Sequence, residues 1–306
     1  PGATPRTPPA TPTPTPTAQS ATPTQTQTPV VPRGTLTMAM LDVGPLQYYG
    51  YKLTWPYNER NVNLGIYESL LWWDGNLQPR IAESWSLDDK GVTFKIRNDV
   101  PFHDSAYGNV TAEDVVFTFE NNSREGTIHT SASVSRRVFG KYEAIDQRTA
   151  RFTFAQPGVD WSLPVRGGFG IESKRFIQDK GEEYSVLNEN GTGPYRVIEH
   201  QADDRLFLEA IPNHWRKTPA FKSVRVLEVP EPATRLAMLQ VGEADVVQVS
   251  LPVIDQVMKV QGAKLFEGKL LGTTGATIFP AGQYYQPIDP LTGQPTNRTP
   301  IVELPW

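Results

Sequence analysis

The chain has 306 residues, a formal net charge of −4 and no cysteine. That length allows about two domains. The missing thiols exclude a disulfide scaffold, a cysteine nucleophile and a thiolate zinc site, and the acidic balance argues against a nucleic-acid surface. No run approaches the roughly 18 apolar residues of a membrane-crossing helix.

Residues 1–33 hold 10 of the 28 prolines, 10 threonines and two charges, Arg6 and Arg33. Each proline fixes φ and removes a backbone donor, and few apolar side chains are present to offset ordering. Residues 1–34 therefore read as a disordered Pro/Thr-rich linker, a spacer that holds a domain away from a surface. The chain opens on Pro1 rather than Met, which predicts that a signal peptide has been removed. A lipid-modified cysteine just upstream would supply the tether.

The ordered chain is expected from Thr35, with Thr35 to Leu41 as the first strand. The apolar spacing of Val62, Leu64, Ile66, Tyr67, Leu70 and Leu71 predicts a helix over Asn61 to Trp73. Val92, Phe94 and Ile96 alternate with polar residues, as a strand with one wet face does. Thr111 opens a helix with Asp114 as capping-box partner and Val115, Val116 and Phe119 as its buried stripe. Strands follow at Ala150–Phe154, Leu206–Ala210, Ser223–Val229 and Asp245–Val249, with helices over about 231–241 and 252–260. Strand and helix alternate late in the chain, while paired strands fill its middle. The fold class is α/β, with an inserted antiparallel subdomain. Phe94, Phe117, Phe119 and Leu239 are expected in the core.

Catalytic patterns are missing. There is no Gly-x-Ser-x-Gly elbow, and Gly191-Thr192-Gly193-Pro194 lacks the lysine of a phosphate loop. His103, His129, His200 and His214 show no metal-ligand spacing. Adjacent carboxylates such as Asp88-Asp89 do not face one another. No catalytic residue, metal or cofactor is expected. Asn109, Asn121, Asn190 and Asn297 head short Asn-x-Ser/Thr sequons, a pattern common by chance. The aromatic run Tyr48, Tyr49, Tyr51, Trp55 and Tyr57 is the most unusual feature. Tyr and Trp join apolar area to a polar handle, and this run follows the first strand, where an open α/β sheet binds ligands at its carboxyl edge. Core and loop packing is the competing reading of the same residues.

The stretch from Gly65 to Glu120 resembles the family 5 extracellular solute-binding proteins of ABC importers, the group with oligopeptide-, dipeptide- and nickel-binding members. The matching elements are Tyr67-Glu68-Ser69-Leu70, Ala82-Glu83-Ser84-Trp85, Asp99-Val100-Pro101-Phe102-His103-Asp104 and Thr111 to Phe117. Gly191-Thr192-Gly193-Pro194-Tyr195, Asn213-His214-Trp215 and Arg235 to Val247 extend the likeness. His103, Asp104, Glu113 and Asp114 read as structural within these elements.

The resemblance implies the first lobe of a two-lobed periplasmic-binding-protein-like (type II) fold. Residues 35–262 would form lobe I, with the inserted subdomain at about 76–190. Residues 263–306 would cross into a truncated lobe II, leaving the second lobe missing and apolar surface exposed near Leu270, Leu271, Ile278 and Phe279. The implied function is binding of a peptide or similar small solute, without turnover, for delivery to ABC permease subunits. The implied location is extracytoplasmic, in the periplasm or on the outer face of the cell membrane. Leu41, Asp42, Val43 and Gly44, at the exit of the first strand, and Tyr49, Tyr51 and Trp55 are the expected ligand contacts. Two alternatives stand beside this: a peptide-sensing receptor that signals without transport, and a secreted hydrolase using a cleft carboxylate. Permease and ATPase genes beside this one would favour import, and turnover of a glycan or ester would favour the hydrolase.

Overall fold

The computed structural model describes residues 31–44, 47–50, 65–129, 131–166, 168–249 and 253–264. Most of the expected linker, the crossover beyond residue 264, and Tyr51, Trp55 and Tyr57 lie outside the described residues.

The elements run β1 (Thr35–Met40), β2 (Leu71–Trp73), β3 (Leu77–Pro79), β4 (Ala82–Asp88), β5 (Gly91–Ile96), α1 (Ala112–Ser123), α2 (Ala132–Val138), β6 (Phe139–Asp146) and β7 (Thr149–Phe154). They continue with α3 (Ser162–Val165), α4 (Lys174–Lys180), α5 (Glu182–Leu187), β8 (Tyr195–Gln201), β9 (Arg205–Ala210), β10 (Ser223–Glu228), α6 (Pro232–Val241), β11 (Val246–Val247) and α7 (Ile254–Val257). Two sheets and a short hairpin organise them. One sheet has the order β11-β1-β10-β9-β8, with β1 parallel to both β10 and β11 and the remaining pairs antiparallel. The other is fully antiparallel, in the order β4-β5-β7-β6. The β2–β3 hairpin stands apart.

The antiparallel sheet carries the larger core. Val92, Phe94 and Ile96 of β5 and Ala150 and Phe152 of β7 are fully buried beneath α1. Phe119 meets Phe152 at 4.7 Å and Phe169 edge-on at 5.0 Å, and each such ring pair adds roughly 0.5–1.5 kcal/mol beyond area burial. Thr111 and Asp114 close a reciprocal capping box at the start of α1. Of the expected core residues, Phe94 and Phe119 are fully buried, whereas Phe117 and Leu239 are only half-buried. Phe117 points away from the main core toward Tyr49 and Phe176.

The helix expected over Asn61 to Trp73 is not present in its described part. Gly65 and Ile66 make a single helical step, and the chain then runs extended into β2. The apolar spacing has another cause here: Ile66 to Leu71 is buried on every side, and burial without periodicity does not distinguish helix from strand. Its carbonyls bond sideways rather than along a helix. Ile66 O accepts from Gly193 N at 2.7 Å, Glu68 O from Ile171 N at 3.0 Å and Leu70 O from Ala82 N at 3.0 Å. This contact explains the glycines of Gly191-Thr192-Gly193. A Cβ at Gly191 would lie 2.0 Å from Ile66 O, and one at Gly193 2.5 Å from Gly65 O.

The residues read as structural do structural work. His103 places Nδ1 2.8 Å from Glu189 Oε2 and Nε2 2.8 Å from Gly193 O. Asp104 caps the turn at Ser105–Tyr107 by accepting from Ala106 N at 3.0 Å. Glu68 is fully buried and accepts from Arg80 and, with both Nε and Nη2, from Arg216. Arg80 lies over the Trp72 ring at 4.3 Å.

Candidate functional site

The carboxyl ends of β1, β10 and β11 lie side by side, because both pairings of β1 are parallel. Met40 O accepts from Val229 N at 2.8 Å and Ala39 O from Gln248 N at 2.9 Å. Beyond β1 the backbone is taken over by side chains from its neighbours. Leu41 N donates to Gln248 Oε1 at 2.9 Å, and Val43 N donates to Glu228 Oε2 at 2.9 Å. Gly44 has a φ of +75°, a conformation that glycine adopts without a Cβ penalty. Its carbonyl accepts from Asp203 N at 3.1 Å.

Arg235, on α6, locks this edge from behind. It is buried, and its guanidinium donates to Gln248 O at 2.7 Å, to Pro230 O at 2.8 Å and to Val229 O. Burial pushes its pKa down from the ordinary arginine value. One planar fork therefore ties the outgoing ends of β10 and β11 together. Sequence reasoning placed Arg235 in a scaffold element and missed this role; the only available signal was a lone arginine in the first turn after Val229-Pro230.

The expected contacts divide by exposure. Leu41 is exposed and Asp42 half-exposed, both at the sheet edge. Val43 and Gly44 are buried, and Val43 belongs to the core cluster with Tyr48, Ile66 and Tyr67. Tyr49 is 1% exposed. Its hydroxyl donates toward Asn121 Oδ1 at 2.8 Å and Glu182 Oε1 at 3.0 Å, and its ring packs with Phe176 and Ile177. Burial, with Glu172 and Glu182 nearby, pushes its phenol well above the ordinary tyrosine range. In this arrangement Tyr49 anchors the segment after β1 into the layer of α1, α4 and α5. The structure thus brings residues 41–44 together at the edge and turns Tyr49 away from it. Tyr51 and Trp55 lie outside the described residues.

Sequence reasoning also missed Glu172. This buried carboxylate accepts from Gly50 N at 2.6 Å, and burial raises its pKa to about 7. It lines a small cavity with Tyr48, Tyr49 and Tyr67. Among the described residues no group of three or more His, Cys, Asp or Glu side chains is placed to hold a metal ion, and no helix is long and apolar enough to cross a membrane.

Residues 76–287 match the family described as bacterial extracellular solute-binding proteins, family 5 Middle. Among curated proteins, the probable ABC transporter periplasmic-binding protein SapA of Escherichia coli is 29% identical over 192 residues, covering 56% of this chain and 35% of its own length. The dipeptide-binding protein of Escherichia coli is 26% identical over 189 residues, covering 55% of this chain and 35% of its own. Among solved structures, the binding protein MoaA from A. tumefaciens R10, in complex with mannopinic acid, superposes with a TM-score of 0.65 at 26% identity, over 74% of this chain and 47% of its own. The chain thus spans about a third of the length of these curated relatives.

Proposed function

The chain belongs to the family 5 bacterial extracellular solute-binding proteins, and on that premise we propose that it is the extracytoplasmic solute-binding component of an ABC importer. It binds peptides or similar small solutes, carries out no turnover, and hands its ligand to permease subunits in the membrane. Residues 35–262 correspond to the first lobe of a two-lobed type II binding-protein fold, with the antiparallel sheet as its inserted subdomain. Residues 263–306 lead toward the second lobe. Residues 1–34 act as the spacer of a tethered lipoprotein.

One observation carries the reading: the parallel ends of β1, β10 and β11 form an open carboxyl edge with Leu41 and Asp42 at its rim. An α/β sheet takes its ligand at that place. Main-chain recognition at such an edge tolerates varied side chains, which suits peptides. The dipeptide-binding relative supports this ligand class. Leu41, Asp42, Val43 and Gly44 are the proposed contacts here, with Tyr51 and Trp55 on the chain that follows.

Closure of two lobes buries a ligand from both sides. One wall alone should hold it about a thousandfold more weakly, if half the contacts are worth about 4 kcal/mol. The test is an NMR titration of the 306-residue chain with a panel of di- to pentapeptides. Weak binding that shifts the amides of Leu41 to Gly44 is expected. Peptides that leave those amides unmoved, or turnover of a glycan or ester by the same chain, would overturn the reading.

A further inference from the structure

The main chain of Glu172 is held in place from α1. Its own N–H donates to Thr118 Oγ1 at 2.9 Å, and Thr118 donates to Asp114 O at 2.8 Å. Oε1 takes the Gly50 amide at 2.6 Å, while Oε2 is buried and, among the described residues, makes no close hydrogen bond, with the Asn121 and Asn122 amides beside the carboxyl. Gly50 is closely packed against the same helix: a Cβ there would lie 2.5–2.7 Å from the Asn122 amide group. The segment's other ties are Tyr48 N to Val186 O at 2.9 Å and the Tyr49 hydroxyl to Asn121 and Glu182.

The charges around Glu172 are unequal. From α1 come the Asn121 and Asn122 amides and Arg124, but Arg124 bonds both oxygens of Glu182 on α5 at 3.0 Å. The 48–50 segment presents Tyr48 and Tyr49, and the chain before β2 presents Tyr67. From α4 and the residue before it come Ser173, Phe176 and Ile177, which carry no charge. No cation is dedicated to Glu172 among these groups.

We propose that Glu172 is a proton-controlled positioning residue for the segment 48–50. Ionised, it holds the Gly50 amide in a charge-assisted bond and fixes the chain that leaves β1. Protonated, it keeps a weaker neutral acceptor at Oε1 and gains a donor at Oε2 beside the cavity. The consequence for ligand capture rests on the reading that the chain after β1 borders the solute. Burial raises this carboxyl to about 7, with the Gly50 amide, the two asparagines and Arg124 pulling the other way, so the change falls in the neutral range. Charge-assisted bonds are roughly twice as strong as neutral ones, which corresponds to about fivefold weaker capture at pH 6 than at pH 8.

The full chain tests this without a ligand. The Gly50 amide resonance should titrate with a midpoint near pH 7 in the wild type and stay flat in Glu172→Gln, which keeps the Oε1 acceptor. A flat Gly50 resonance in the wild type between pH 5.5 and 8.5 overturns the proposal whether or not the variant folds. So does an identical titration in the variant. A second arm titrates the di- to pentapeptide panel at pH 6 and pH 8. A several-fold difference that is lost in Glu172→Gln supports the proposal, and equal affinities alongside a titrating Gly50 overturn its functional half. Peptides that leave residues 41–44 unmoved at both pH values count against the solute reading alone, because the Gly50 resonance decides the positioning role.

Discussion

The guanidinium of Arg235 donates to the carbonyl of Gln248 at 2.7 Å, and the same group reaches Val229 and Pro230. The first turn of α6 is thereby tied to the two strand exits that flank β1. Three backbone carbonyls accept from this one side chain.

Removing that side chain should loosen the whole edge. Arg235→Ala leaves the three carbonyls without their donor and is expected to cost about 2–4 kcal/mol. Arg235→Lys should recover only part of this, since an ammonium on a flexible stem cannot reproduce the planar fork. Urea unfolding of the three proteins measures it. Equal midpoints for wild type and Arg235→Ala would show that the edge holds without this tie.

The two phenylalanines of α1 should behave differently. Phe119 is fully buried among Phe152, Phe169 and Tyr142, so Phe119→Ala is expected to cost about 3–5 kcal/mol. Phe117 is half-buried and packs beside Tyr49 and Phe176. Its truncation should cost well under that, because its site is open to solvent on one side. Thermal unfolding that ranked Phe117→Ala as the worse change would contradict the packing described.

Glu68 binds two arginines from zero exposure. Glu68→Gln keeps the shape but removes the charge, leaving Arg80 mostly buried beside Arg216 without a counter-ion. A loss of about 3–5 kcal/mol is expected. Pairing Glu68→Gln with Arg80→Met should cost less than the sum of the single changes, and additivity in that cycle would count against a coupled cluster.

Two buried groups should bend the pH dependence of stability in opposite directions. Glu172 has its folded pKa raised from 4.5 to about 7, so the folded state holds a proton that the unfolded state has released. Its contribution is fully present below about 4.5 and is lost as pH rises through about 7, a swing of roughly 3 kcal/mol. Burial lowers His129 from 6.5 to about 3, so the unfolded state binds a proton that the folded state refuses. That contribution is present above about 6.5 and is lost as pH falls toward 3. Glu172→Gln should therefore raise stability at pH 8 relative to wild type with little change at pH 4. A variant that gained equally at both pH values would show that Glu172 is not the titrating group.

Much of the fold was legible because its signals are local. The Thr111–Asp114 box, the alternation of Phe152 and Phe154, and the late strand-helix order at Ser223 to Val241 are each written within a few residues. The segment Ile66 to Leu71 was misread because its burial comes from partners more than a hundred residues away, such as Gly193. The candidate edge was legible in position, since Leu41 to Gly44 follow the first strand. Tyr49 was not legible as an anchor: an aromatic residue reads the same whether it faces a ligand or Phe176. Glu172 left no signal and Arg235 only a lone arginine after Val229-Pro230, since each acts through backbone groups that only the folded chain brings to it.

The parallel pairing of β1 has a consequence for how this protein is made. Thr35 pairs with Ser223, 188 positions later, and Met38 with Val246. At about 5–20 residues per second, the first strand waits on the order of 10–40 seconds after its synthesis before either partner strand exists. The antiparallel sheet between them, from Ala82 to Phe154, finds its partners within that interval. The middle of the polypeptide can therefore assemble first, while the amino-terminal strand waits for β10 and β11 to complete the other sheet. Until then Thr35 to Met40 is an unpaired segment with two open edges, exposed to pairing in the wrong order.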